Sequence, residues 1–156
     1  MVKSRDLRLS KYNISKERYR ELKYFCLQYP DWKKELTVAD TVKAAVAKDE
    51  GGTHGSAVSD CTSELAAKRI ELQRKCSVVE AAAVQADDFI NQYIIEAVTG
   101  DLSYTYYIIE AVTGDLSYTY LRTVRGIPCG KNQFYEARRK FFYNLSKMRD
   151  AGDIKT

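Results

Sequence analysis

Ten side chains between Arg122 and Lys147 are of the types that grip a polyanion and read its surface. Asn132 and Gln133 carry amides that can pair with an adenine edge, and the guanidinium fork of Arg139 suits guanine. Glu136 shares their side of the segment and completes the candidate base-reading set. Arg122, Arg125, Lys131, Arg138, Lys140 and Lys147 suit phosphate oxygens. Charge is segregated to match. Residues 1–36 carry +5, residues 37–120 carry −7, and residues 121–149 carry +7. A +7 excess within so short a stretch points to a surface that meets a polyanion. The same residues also fit an amphipathic helix whose basic outer face only keeps the chain in solution.

Such side chains need a rigid support, and the flanking sequence predicts one. Ser117 is placed to cap a short helix over 118–125. Gly126-Ile127-Pro128-Cys129-Gly130 reads as a turn, with Gly126 freeing the backbone and Ile127 plugging the angle between helices. A long helix is predicted over 131–149. Phe134, Ala137, Phe141, Leu145 and Met148 fall on its inner face at three- and four-residue spacing. Asn132, Glu136, Arg139 and Tyr143 lie opposite, with Gln133, Lys140 and Lys147 along one edge and Tyr135 along the other. This is the pattern of a helix-turn-helix, in which a short helix braces a second that enters the major groove. It departs from the usual spacing: Asn132 stands where an aliphatic residue is normal, and Phe134 comes two positions later. The turn is correspondingly longer.

Immediately upstream the chain repeats itself. Residues 93–106 and 107–120 are identical. Two fourteen-residue copies are too few and too short for a solenoid, so a duplication is the economical account. Each copy holds a helix end, a glycine (Gly100, Gly114) and a serine cap (Ser103, Ser117). The duplication therefore adds one turn and one helix, with helices predicted near 87–99, 104–113, 118–125 and 131–149.

Further back, Thr62 to Val98 contains no glycine or proline. Leu65, Leu72, Val79, Ala86 and Tyr93 recur every seven residues, and Cys76, Ala83, Ile90 and Ala97 follow at the companion offset. One long helix would show this, as would two in series broken near Asp87-Asp88. The stripe can pack within the chain or, over 65–97, pair two copies as a homodimer. Residues 47–60 hold Gly51, Gly52 and Gly55 and read as a linker. Residues 14–36 read as helical, capped by Ser15, with Tyr19, Leu22 and Cys26 on one face. Pro30 interrupts this helix, and Asp31 to Leu36 is expected to resume for a short turn. Trp32, Tyr24, Phe25 and Tyr29 form an aromatic patch expected in the core.

The expected fold is therefore all-α: a long helix or helical hairpin, then a C-terminal helix-turn-helix with one extra helix and turn from the repeat. The expected divisions are a basic helical segment over 1–36, a linker over 37–61, a connecting helix over 62–86 and a helix-turn-helix domain over 87–150.

The 156 residues suffice for one core without staples. Cys26, Cys61, Cys76 and Cys129 are scattered, with no C-x-x-C pair, and read as reduced thiols. His54 is the only histidine, so neither a metal site nor acid–base catalysis near neutral pH is expected. No nucleophile elbow, phosphate-binding glycine loop or H-E-x-x-H occurs. No enzyme activity and no cofactor are expected. No run is long and apolar enough for a membrane span, and the charged start leads into no secretion signal, so a cytoplasmic location is expected.

Three stretches together resemble one family. They are Glu21 to Leu36, Ser59 to Thr62 with Leu65-Ala66 and Lys68-Arg69, and Gly126 to Gly130 with Phe134-Tyr135 and Arg138 to Phe142. In these the chain resembles phage-encoded regulators of the RinA and ArpU type, over most of its length. The resemblance implies a C-terminal domain similar to the promoter-reading region of sigma factors, and a role in activating late phage genes. The tandem repeat is a departure from the family, directly upstream of the bracing helix. The expected function is a sequence-specific transcriptional regulator that binds double-stranded DNA. Its N-terminal +5 segment would add phosphate contacts or touch RNA polymerase. Two alternatives stand beside it: a small terminase-type DNA-packaging subunit that forms a ring, and a helical module that inhibits a host protein by binding it.

Overall fold

In a computed structural model the described residues are 9–46, 58–99 and 116–153. Every regular element among them is helical. A 3-10 turn, Ser10–Tyr12, precedes α1 (Lys16–Leu27) and α2 (Tyr29–Val46). Then come α3 (Val58–Ala86), α4 (Asn91–Thr99), α5 (Leu116–Thr123) and α6 (Lys131–Asp153).

Local chemistry explains most of the helix ends. Ser15 is extended, and its hydroxyl accepts a hydrogen bond from the Arg18 N–H at 3.1 Å, which satisfies one orphan donor of α1. Just before it, Asn13 takes the left-handed conformation (φ 53°), which asparagine tolerates better than most residues. Pro30 does end α1, but it stands in the first turn of α2, where its missing N–H costs nothing. Helix α2 consequently runs on to Val46. It is not the short turn expected after Pro30, and it extends well into the 37–61 stretch assigned to a linker.

The break between α3 and α4 falls at Asp87–Ile90, the second of the two arrangements compatible with the heptad stripe. The Asp87 carboxylate accepts from the Phe89 N–H at 3.1 Å, an Asx turn that competes with the helix ladder. Helix α5 starts one residue ahead of Ser117, which therefore lies in its first turn and not before it. It also ends at Thr123, leaving Arg125 in the turn. Helix α6 continues four residues past Arg149. The extra helix predicted near 104–113 lies outside the described residues.

One buried cluster holds these elements together. From α3 come Cys76, Val79, Ala82, Ala83 and Ala86, and from α6 come Phe134, Ala137, Phe141, Phe142 and Leu145. The two helices pack along each other. Tyr19, Leu22 and Cys26 of α1 close the cluster on one side, where Tyr19 meets Phe142 edge-on at 4.8 Å. Ile94 and Val98 of α4 and Leu121 of α5 also belong to it. The seven-residue stripe is thus buried within the chain from Cys76 to Ile90, and its first member, Leu65, stays 63% exposed. The aromatic patch divides: Trp32 is buried against Phe25 at 4.9 Å, and Tyr24 faces outward.

Candidate nucleic-acid interface

The segment that carries the candidate residues is built around its turn. Gly126 has a φ of +65°, a conformation that costs glycine nothing and other residues about 1–2 kcal/mol. That reversal sends Ile127 into the core and lets its N–H donate to the Leu121 carbonyl at 3.0 Å. The Tyr118 hydroxyl donates to the Cys129 carbonyl at 2.9 Å, and the Tyr118 ring packs against Phe134 at 5.7 Å. Helix α5 is therefore tied to the start of α6 on both sides of the turn.

The side chains of α6 separate by angle. Phe134, Ala137, Phe141 and Leu145 point inward, as their spacing requires. Asn132, Gln133, Lys140 and Lys147 are exposed. Gln133 lies 3.5 Å from the Asp87 carboxylate, and the Lys147 ammonium sits 4.5 Å over the Tyr143 ring. On α5 Arg122 is exposed, 3.4 Å from the Tyr118 hydroxyl. Lys131 lies over the Tyr135 ring at 5.9 Å.

Four other candidate residues are occupied inside the chain. One Glu136 oxygen accepts from the Lys11 ammonium at 2.9 Å and from the Tyr12 hydroxyl at 2.7 Å. Its second oxygen accepts from Arg139 at 3.1 Å. The hydrogen bonds from Tyr12 and Lys11, with that from Arg139, hold the Glu136 carboxyl down at about 2. Arg125 pairs with Glu96 of α4 at 3.2 Å. Arg138 is half-buried with its Nε enclosed, and its positive charge acts on the buried Cys26 thiol. The sequence predicts a phosphate contact for Arg138 and an open face for Glu136 and Arg139. The structure departs from both expectations. Helical geometry turns Arg138 toward α1, Lys11 and Tyr12 of the N-terminal segment cover Glu136, and Arg139 pairs with Glu136 on its own helix.

Sequence reasoning missed Lys11, Tyr12 and Arg18. Arg18 reaches across to α6, where its Nε donates to Ser146 at 3.2 Å and its guanidinium pairs with Asp150. The Tyr12 ring meets Tyr143 at 5.3 Å. One signal was present: Tyr143 is a large ring on an otherwise polar face, and such a ring tends to find a cover.

No described cluster of His, Cys, Asp and Glu has the make-up of a metal site, and no described helix is long and apolar enough to cross a membrane. No family model matches the chain, nor does any curated protein or solved structure.

Proposed function

We propose that the chain is a sequence-specific DNA-binding regulator of transcription, of the phage-encoded kind implied by its resemblance to RinA and ArpU. The observation that carries this reading is the exposed row Gln133, Lys140 and Lys147 beside the α5–turn–α6 unit. Members seven apart recur every two turns, so the row spans about 21 Å along one side of α6. That length suits a run of backbone phosphates along one strand of a duplex. Arg122 on the bracing helix extends the positive surface, and Asn132 stands at the leading end of α6 as the accessible amide for a base edge. The basic N-terminal segment adds phosphate contacts or meets RNA polymerase. Catalysis plays no part in this reading.

The test has two steps. A random duplex pool is enriched by binding to the full chain, and a labelled member is then titrated by fluorescence anisotropy at several salt concentrations. Enrichment of one sequence, tighter binding than to scrambled duplex and a steep salt slope support the reading. The slope divided by about 0.9 counts the phosphates neutralised. No enrichment and no binding at low salt refute it. Solution mass separates the regulator, a monomer or a dimer, from a packaging subunit that forms a ring.

A further inference from the structure

Helix α6 is covered on more sides than a helix entering a major groove can be. Helix α3 packs along its inner face and α1 along the next, through Tyr19 on Phe142 and through Arg149, which lies 4.5 Å over the Phe25 ring and 2.8 Å from Glu21. Lys11, Tyr12 and Arg18 then meet Glu136, Tyr143, Ser146 and Asp150 on the next face. A helix with its side chains is already about 10–12 Å across, close to the groove's width. With another strand of chain on its outer face, α6 cannot reach a base edge with Glu136, and Arg139 stays paired to that carboxylate.

That cover is built differently from the core. Lys11 is 71% exposed and Asp150 63%, so their ion pairs with Glu136 and Arg18 are of the solvent-screened kind that contributes little. Leu9 belongs to the buried core, while Tyr12 and Ile14 only pack half-buried against it. Helix α1, by contrast, is anchored by Tyr19, Leu22 and Cys26. Asn13, in its left-handed conformation just ahead of the Ser15 cap, is a one-residue joint between the two parts. The turn Ser10–Tyr12 can therefore lift while Leu9 and α1 stay docked.

We propose that the turn Ser10–Tyr12 is an autoinhibitory latch over the base-reading face of α6, closed by Tyr12 and Lys11 on Glu136 and released when duplex DNA binds. This rests on the DNA-binding reading. It gives the turn Ser10–Tyr12 a regulatory role and leaves contacts with phosphate or RNA polymerase to the rest of the basic N-terminal segment. Releasing the latch frees Glu136 from two of its three donors. The open fraction of the chain sets the apparent affinity, so weakening the latch tightens DNA binding.

The test uses the full chain, Tyr12→Phe and Tyr12→Ala with the enriched duplex. None of these changes alters net charge at neutral pH. Tyr12→Phe removes the bond to Glu136, and Tyr12→Ala removes the ring contact with Tyr143 as well. The expected result is tighter binding in the order Ala, Phe, wild type. The gain is about three- to tenfold for Tyr12→Ala, with the salt slope unchanged. Hydrogen exchange at the Tyr12 amide, which donates to the Leu9 carbonyl at 2.9 Å, should accelerate when duplex is added. Equal affinities with unchanged exchange overturn the latch and leave the DNA reading standing. Weaker binding by the variants, with a protected Tyr12 amide in the complex, overturns it in favour of an N-terminal segment that contacts DNA. Failure of all three proteins to bind any duplex removes the DNA reading and the latch with it. Circular dichroism melts confirm that the variants keep the helical fold.

Discussion

Replacing Glu136 with Gln probes the most heavily engaged side chain on the outer face of α6. Its carboxylate accepts from Tyr12, Lys11 and Arg139, and its pKa falls from the ordinary 4.5 to about 2. Three donors on one charge would be worth several kcal/mol in a dry site. The side chain is 34% exposed, and solvent screening brings the expected contribution down to about 1 kcal/mol. The folded value lies below the unfolded one. The contribution is therefore fully present above about pH 4.5 and drains away as pH falls toward 2. Urea unfolding of wild type and Glu136→Gln, followed by helical circular dichroism across this range, isolates the effect as a difference between the two proteins. Wild type should be more stable by about 1 kcal/mol at neutral pH, and the gap should narrow steadily in acid. A gap absent at pH 7, or one that persists undiminished to pH 3, would refute the reasoning.

The other expectations concern the core, the turn, a thiol and the exposed row. Phe142 is fully buried between Tyr19 and Phe141, so Phe142→Ala should cost about 3–5 kcal/mol in urea unfolding. Gly126→Ala meets no atom within 4 Å but must hold a φ of +65°, so a loss of about 1–2 kcal/mol from backbone strain alone is expected in the same measurement. Burial pushes the Cys26 thiol up to about 12. Iodoacetamide at pH 8 should therefore leave it unmodified in the folded chain and label it in urea, as read by peptide mass spectrometry. Lys140→Gln combined with Lys147→Gln should lower the salt slope of DNA binding by about 1.8, two phosphates' worth, with the helical fold retained in circular dichroism.

Much of the architecture was legible because its causes are local. The Phe134–Leu145 spacing, the Ser15 cap and the Gly126-Ile127 turn each express a constraint among residues a few positions apart, and the structure keeps all three. Asp87-Asp88 marked the break between α3 and α4 for a similar reason, since an aspartate side chain competes for the helix's own N–H groups. Two local signals misled. Pro30 read as an interruption, although a proline in a first turn starts a helix as readily as it ends one. Ser117 read as a cap, but α5 begins ahead of it. The helix expected near 104–113 falls outside the described residues.

The sequence by itself therefore determined the helical class, the inner face of α6 and the clustering of positive charge toward its C-terminal end. Those are properties of composition and of the 3.6-residue period. Only the tertiary structure decided what lies over the outer face of α6. Lys11 meets Glu136 across 125 positions, and Arg18 meets Ser146 across 128. A polar helix face has the same composition whether it meets water, phosphate or another stretch of its own chain. Periodicity reports which side is polar. What that side touches depends on how distant segments pack, and packing brought Tyr12 over Glu136 and turned Arg138 toward Cys26.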